Sequence, residues 1–132
     1  MFGRKKGIQP NSNWRELEKV QAREIAKRNP DYNVSTQKVY RGYGKRPDVY
    51  AQHKTIPHKR LGGEAKCVKV LTSDNVKQAK SYKKHPGYLS DMEIGVSRDS
   101  RVPHKIRKEI RNSGMTLKRY DVPREKPWYK RI

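Results

Sequence analysis

Apolar residues recur at helical spacing between residues 13 and 28. At about 100° per residue, one broad side of a helix there carries the apolar side chains. Asn13 and Glu16 form a capping-box pattern, and Pro30 forces the chain out of helical geometry. The pattern predicts an amphipathic helix over 13–28, capped by Asn13. Its apolar side is formed by Trp14, Leu17, Val20 and Ile25.

Two later segments repeat this design. Ser73 or Asp74 suits the start of a short helix that reaches about residue 84, with Val76, Ala79 and Tyr82 facing inward. Between residues 100 and 114, three apolar residues follow one another at intervals of four, and Gly114 suits the exit. Two more helices are therefore expected, the second of them with Val102, Ile106 and Ile110 as its apolar stripe.

Strand patterns are weaker. The best strand candidate is 65–72, short and rich in β-branched residues, and 34–41 and 115–122 are two others. The segment 88–96 is ambiguous, and glycines at 42–44 and 62–63 predict breaks. We expect an α+β fold with a small core of two or three amphipathic helices and a short β-sheet. The predicted domain spans 13–122 with a loop at 40–63, between a basic arm at 1–12 and an extended tail at 123–132.

The net charge of the chain indicates its function more strongly than any motif does. The 132 residues include 33 Lys and Arg against 13 Asp and Glu, a net charge of +20 spread over the whole chain. Leu, Ile, Val and Phe together number only 23, which indicates a small core. Such self-repulsion is relieved by a polyanion, and nucleic acid is the expected one. We expect much of the chain to order only on that partner.

The cations are arranged in a way that suits phosphates. On the first predicted helix they recur every fourth residue and form a basic ridge, and the third helix repeats the plan. Others lie in the N-terminal arm and in the 40–63 loop. The predicted phosphate contacts are Arg4, Lys5, Lys6, Arg15, Lys19, Arg23, Lys27, Arg41, Lys45, Arg46, Lys59, Arg60, Arg107, Lys108 and Arg111.

Aromatic residues are interleaved with the cations of the loop. Aromatic faces stack on unpaired bases, each stack being worth about 1–3 kcal/mol. The alternative is that the tyrosines pack over a thin core with their hydroxyls in water. The stacking candidates are Tyr40, Tyr43, Tyr50 and, in the tail, Trp128.

Catalytic and metal-binding motifs are not evident in the sequence. Cys67 stands alone and His53 and His58 are isolated, so no zinc site is expected. The spacing of His104 and Arg107, with Tyr120 downstream, matches a recombinase pattern that arises by chance in so basic a chain. No phosphate-binding glycine loop is present. The carboxylates show no clustering along the sequence, so neither an acid–base pair nor a magnesium site is predicted, and no cofactor or small-molecule substrate is expected.

The composition resembles that of ribosomal proteins, a likeness that assigns no residue a role. We expect a non-enzymatic, structural RNA-binding protein of a large ribonucleoprotein, with RNA preferred over DNA and with protein neighbours in the assembly. The alternative is a DNA-contacting or assembly protein of a virion or chromatin-like particle, and a nuclease or recombinase comes third. The single cysteine indicates a reducing, intracellular compartment, or else a virion. No apolar stretch approaches membrane-spanning length, so no membrane partner is expected.

Overall fold

The fold is taken from a computed structural model, which describes residues 11–36, 47–83 and 89–127. These residues form three helices and a five-stranded mixed sheet, which confirms the predicted α+β class. The helices are α1 (Trp14–Arg28), α2 (Ser73–Lys83) and α3 (His104–Asn112). The strands are β1 (Tyr32–Thr36), β2 (Val49–His53), β3 (Arg60–Lys66), β4 (Asp91–Val96) and β5 (Thr116–Arg119).

The sheet follows the order of the chain, β1 to β5. The first three strands are antiparallel neighbours, whereas β3, β4 and β5 run parallel. Parallel neighbours need crossover connections, and α2 and α3 supply them. Because β2 runs against β3, the start of β2 lies beside the end of β3, with Val49 opposite Gly63. The candidate site lies at this end of the two strands.

The helices cover the two faces of the sheet. On one face, α2 and α3 pack against each other and against the main apolar cluster, which includes Met92, Ile94 and Ile110. On the other face, α1 buries Leu17 against Tyr120 and Val122. It also buries Ile25 against Val49 and Ala51. The central strands are therefore covered on both sides, although the chain is poor in apolar residues.

The helix predictions are confirmed with small changes at their ends. The capping role of Asn13 is wrong, because its side-chain amide donates to the carbonyl oxygen of Pro123 at 3.2 Å instead of to an amide of α1. The exit of α3 at Gly114 is confirmed, since this residue has a φ of 72°, a conformation that glycine adopts without strain.

Several strand predictions are wrong. The predicted loop at 40–63 contains β2 and the beginning of β3, and the expected break at 62–63 lies inside β3. The glycines serve close packing there: a Cβ on Gly62 would lie 2.5 Å from Leu89 Cδ1. The candidate at 65–72 contributes only its first two residues to β3, and the ambiguous segment 88–96 contains β4. The candidate at 115–122 is confirmed, since β5 lies entirely inside it, and the described residues of the candidate at 34–41 belong to β1. The expected break at 42–44 lies outside the described residues.

Within the described residues, no helix has both the length and the apolar character needed to cross a membrane.

Candidate functional site: a carboxylate pair and a lysine at the end of β3

Two carboxylates meet where β2 begins and β3 ends. Glu64 Oε1 accepts a hydrogen bond from the backbone N–H of Asp48 at 3.0 Å. In return, Asp48 Oδ2 accepts one from the backbone N–H of Ala65 at 2.9 Å. These reciprocal bonds extend the β2–β3 pairing by one step and fix both carboxyl groups relative to the backbone. The sequence-based expectation that no carboxylates cluster is therefore wrong.

Glu64 is in an unfavourable environment for a negative charge. Its side chain is only 3% exposed. Burial, followed by the nearby charge of Asp48, raises its pKa to about 8, and Lys66 opposes this increase. Close to neutral pH, Glu64 thus retains a proton that it would not hold in water. A positive charge close to Glu64 would favour its ionised form.

Lys66 supplies part of that positive charge. It lies two residues after Glu64 on the same strand, so both side chains leave the same face of the sheet. Its Nζ is 3.3 Å from Glu64 Oε2, and 16% of its side chain is exposed. The ammonium group is therefore held beside the carboxylate, while part of the lysine side chain remains exposed.

Helix α2 holds the lysine from the other side. Lys66 Nζ donates a hydrogen bond to Gln78 Oε1, and Gln78 Nε2 donates to the Tyr82 hydroxyl at 2.9 Å. Gln78 and Tyr82 are one helical turn apart, so their side chains meet on one side of α2. Tyr82 in turn packs against the main apolar cluster. The ammonium group is thus linked to the core through the amide of Gln78.

The donor set fits a hard divalent cation. Among the described residues, no group of three or more His, Cys, Asp and Glu side chains forms a complete ligand shell. Mg²⁺ does not require one, because it is commonly bound by one or two carboxylates, with water and substrate phosphate oxygens as its other ligands. Asp48 and Glu64 provide the two carboxylates, and the backbone hydrogen bonds between their strands hold them side by side.

A second buried carboxylate, Glu93 on β4, is already neutralised. Its Oε2 lies 2.7 Å from Arg28 Nη2, and its Oε1 accepts hydrogen bonds from the Tyr120 hydroxyl at 2.5 Å and from Gln21 Nε2 at 3.0 Å. Burial and the bond to Glu93 raise the pKa of the Tyr120 hydroxyl. Since its charge is balanced inside the fold, we assign Glu93 a structural role.

This network also bears on the recombinase pattern. The Tyr120 hydroxyl is bonded to Glu93, and its ring packs against Leu17 of α1. His104 and Arg107 lie on α3, which packs on the other face of the sheet. The three residues do not form one site, in agreement with a chance spacing.

The predicted phosphate-binding cations that the structure describes lie on the surface. The ridge residues Arg15, Lys19, Arg23 and Lys27 are exposed on α1, and Arg107, Lys108 and Arg111 are exposed on α3. Lys59 is exposed and Arg60 is half-buried. The structure places them on separate faces, and their contact with phosphate stays a prediction. Arg4, Lys5, Lys6, Arg41, Lys45 and Arg46 lie outside the described residues.

Of the four stacking candidates, Tyr50 alone lies within the described residues. It is half-buried and packs against the main apolar cluster, which is the core-packing alternative given above. Tyr40, Tyr43 and Trp128 lie outside the described part of the chain, and their stacking stays a prediction.

The residues that form the candidate site do not stand out in the sequence. Asp48, Glu64, Lys66 and Gln78 carried no expectation, because the two carboxylates are separated by fifteen residues that were predicted to form a loop. The available signal was the Glu64-x-Lys66 spacing, which on a strand puts a carboxylate and an ammonium group side by side. It becomes informative only when residues 60–66 are recognised as a strand.

Comparison with known proteins gives the fold a counterpart but no function. No family model and no curated protein matches the sequence. A crystal structure of a protein of unknown function, AF1548, is similar with a TM-score of 0.54 and 16% sequence identity. The match covers 80% of this chain and 60% of that chain, so this chain spans about three fifths of its length. A likeness at this identity concerns the fold alone.

Proposed function

We propose that the protein is a metal-dependent nuclease that hydrolyses phosphodiester bonds of nucleic acid. The observation that carries the proposal is that Asp48, Glu64 and Lys66 lie together where β2 begins and β3 ends. Two carboxylates that favour a divalent cation, with an ammonium group beside them, are the groups that phosphoryl transfer needs. In open sheets with parallel strands, ligands bind outside the carboxyl ends of those strands, which is where β3 brings Glu64 and Lys66.

In the net reaction, a water oxygen forms a new bond to phosphorus and one ester P–O bond breaks. The leaving oxygen takes up a proton, so the products are a phosphate monoester and a hydroxyl group. A divalent cation bound by Asp48 and Glu64 would supply positive charge to the phosphoryl oxygens and lower the pKa of a bound water. The chain itself contributes the ammonium group of Lys66, which opposes the negative charge that develops on the phosphate.

Gln78 has a positioning role in this proposal. Its amide oxygen accepts from Lys66 Nζ while its amide nitrogen donates to Tyr82, so both ends of the amide are engaged. The ammonium group is then oriented before the substrate arrives, and less reorganisation is needed in the transition state.

The substrate class follows from the charge. A chain with a net charge of +20 attracts long polyanions much more strongly than small phosphodiesters. The proposed chemistry uses water as the nucleophile and does not require a ribose 2′-hydroxyl, so DNA is a competent substrate. We therefore name DNA as the first substrate to test, with RNA of the same sequence as the second.

The test measures cleavage of labelled single-stranded and duplex DNA, and of the RNA, with Mg²⁺ or Mn²⁺ and with EDTA. We expect cleavage only with the cation, and a loss of about 10²-fold or more for Asp48→Asn, Glu64→Gln and Lys66→Met. Asp31→Asn, which removes an exposed carboxylate in a turn, is the matched control and should cleave like the wild type. Activity of the three site variants equal to that of the wild type, or no cleavage by any of the proteins, would refute the proposal.

A second candidate function is the non-enzymatic one predicted from the sequence, a structural RNA-binding protein of a ribonucleoprotein or a DNA-contacting protein of a virion or chromatin-like particle. It is supported by the exposed cations on α1 and on α3, which cover opposite faces of the sheet and could bridge two nucleic acid segments. The test is to purify the protein with its particle from native cells and to treat one half with RNase and the other with DNase. Release of the protein by RNase indicates a ribonucleoprotein, and release by DNase indicates a DNA-containing particle. In this function, Asp48→Asn would leave assembly unchanged.

A further inference from the structure

We propose that a groove between α1 and the C-terminal segment 121–127 binds the phosphate backbone of nucleic acid. The groove has a volume of about 630 Å³. The α1 wall carries Arg15, Lys19 and Arg23, three cations of the basic ridge, together with one carboxylate, Glu16. The apolar surface of the groove includes Val20 from α1 and Val122 from the opposite wall. The proposal depends on the proposed nuclease function only for naming the ligand, since binding can be measured without cleavage.

The wall of cations is regular and available. Residues four apart on a helix are separated by about 6 Å along its axis, so the three side chains form an evenly spaced row of charge that curves gradually around the helix. In the described part of the chain, neither Lys19 nor Arg23 has a carboxylate within ion-pair distance, and Arg15 lies over the ring of Trp14, 5.1 Å from its centroid. Such a row suits the repeating charge of a phosphate backbone.

The opposite wall is fixed in place before any ligand binds. The Asn13 side-chain amide donates to Pro123 O at 3.2 Å, and its backbone N–H donates to Arg124 O at 2.9 Å. Asp121, the carboxylate of this wall, lies 3.1 Å from Arg98, which offsets its charge. The groove is therefore built by the fold and retains a positive balance.

The groove lies at the same end of the sheet as the carboxylate pair. Cys67, the residue after Lys66, donates its thiol to Arg124 O at 3.2 Å, which brings the C-terminal segment next to the end of β3. The groove itself lies on the α1 side of the sheet, whereas Glu64 and Lys66 project toward α2 on the other face. Among the described residues that line the groove there is no Phe, Tyr, Trp or His. We infer that it contacts phosphates without stacking on bases, so that binding there is independent of sequence.

The test measures affinity for a labelled DNA duplex as a function of salt, with Asp48→Asn protein and no divalent cation, so that cleavage plays no part. Replacing Arg15, Lys19 and Arg23 together with Gln should flatten the slope of log K against log salt by about 2–3 units, and Lys19→Gln alone by about one. A triple replacement of Lys105, Lys108 and Arg111 on α3 removes the same charge across the sheet and should have a smaller effect. Thermal melts check that all variants remain folded.

Three results would overturn the inference. An unchanged slope in the groove variants would mean that these cations face solvent in the complex. Equal flattening in the α3 variant would mean that total charge, not the groove, attracts the duplex. If the groove variants lose binding to anionic lipid vesicles but keep the wild-type slope for DNA, the occupant is a lipid surface. Failure of the wild type to cleave DNA would refute the nuclease proposal and leave this measurement intact.

Discussion

Glu64 accepts a hydrogen bond from the backbone N–H of Asp48 at 3.0 Å, and the Asp48 carboxylate accepts one from the residue that follows Glu64. Each acid is therefore held by the backbone of the other's strand. The carboxylates are kept close in spite of their repulsion, because the antiparallel pairing of β2 and β3 fixes the two chain segments. Burial of Glu64, and to a smaller extent the charge of Asp48, raise the pKa of the Glu64 carboxyl.

Folding stability should fall with rising pH because of Glu64. Its pKa is about 8 in the folded protein, against an ordinary value of 4.5. Between these values the folded chain holds a proton that the unfolded chain has released, so the free energy of unfolding decreases as pH rises toward 8. Urea denaturation at several pH values, without divalent cations, should show this decrease in the wild type and a weaker one in Glu64→Gln. Parallel pH profiles of the two proteins would contradict the assignment.

A divalent cation should stabilise the protein more at pH 8 than at pH 6. At the lower pH, protons compete with the cation for Glu64, whereas at the higher pH the carboxylate is available. A free cation concentration of about 100 times Kd should raise the free energy of unfolding by about 2.7 kcal/mol. Differential scanning fluorimetry with Mg²⁺ and Mn²⁺ measures the shift. It should disappear in Asp48→Asn and persist in Asp31→Asn, and a shift of equal size in both variants would place the cation elsewhere.

Gln78 should affect turnover more than stability. It is exposed on α2, so Gln78→Leu should leave the melting temperature nearly unchanged. Loss of the acceptor for Lys66 Nζ should lower kcat on DNA by about 10–100-fold, because the ammonium group is no longer oriented. Gln78→Glu retains an acceptor and should recover part of the rate. If the leucine variant lowers the melting temperature and kcat together, or if Gln78→Glu is as slow as Gln78→Leu, the positioning role is wrong.

Gly95 should be intolerant of a side chain because Gln21 packs directly over it. A Cβ there would lie 2.8 Å from Gln21 Nε2 and 3.0 Å from Tyr120 Cε2. Gly95→Ala should therefore destabilise the fold by about 1–3 kcal/mol, as overpacking of a dense core does. Denaturant unfolding measures the change. The control is the same substitution in a Gln21→Ala background, where the clash is partly relieved. An equal loss of stability in both backgrounds would show that Gln21 does not cause the destabilisation.

Most helical elements could be predicted from the sequence, whereas most strands could not. The spacing of Leu17 and Ile25, and of Val102, Ile106 and Ile110, depends only on helical periodicity, a local property of the chain. Strand β3 contains Gly62 and Gly63, which locally indicate a turn. They are tolerated in a strand because Leu89 and Gln21 occupy the space that side chains would need. That reason lies in contacts from other elements, so no local pattern could reveal it.

The same distinction applies to function. By itself, the sequence determined a strongly cationic chain with a small core and exposed basic helix surfaces, since charge and periodicity can be read directly from residue types. Only the tertiary structure decided that Asp48 lies beside the buried Glu64, and that Lys66 contacts both Glu64 and Gln78. The physical reason is the register of β2 on β3: it joins residues that are distant in the sequence, and burial then changes the chemistry of groups that would be ordinary in water.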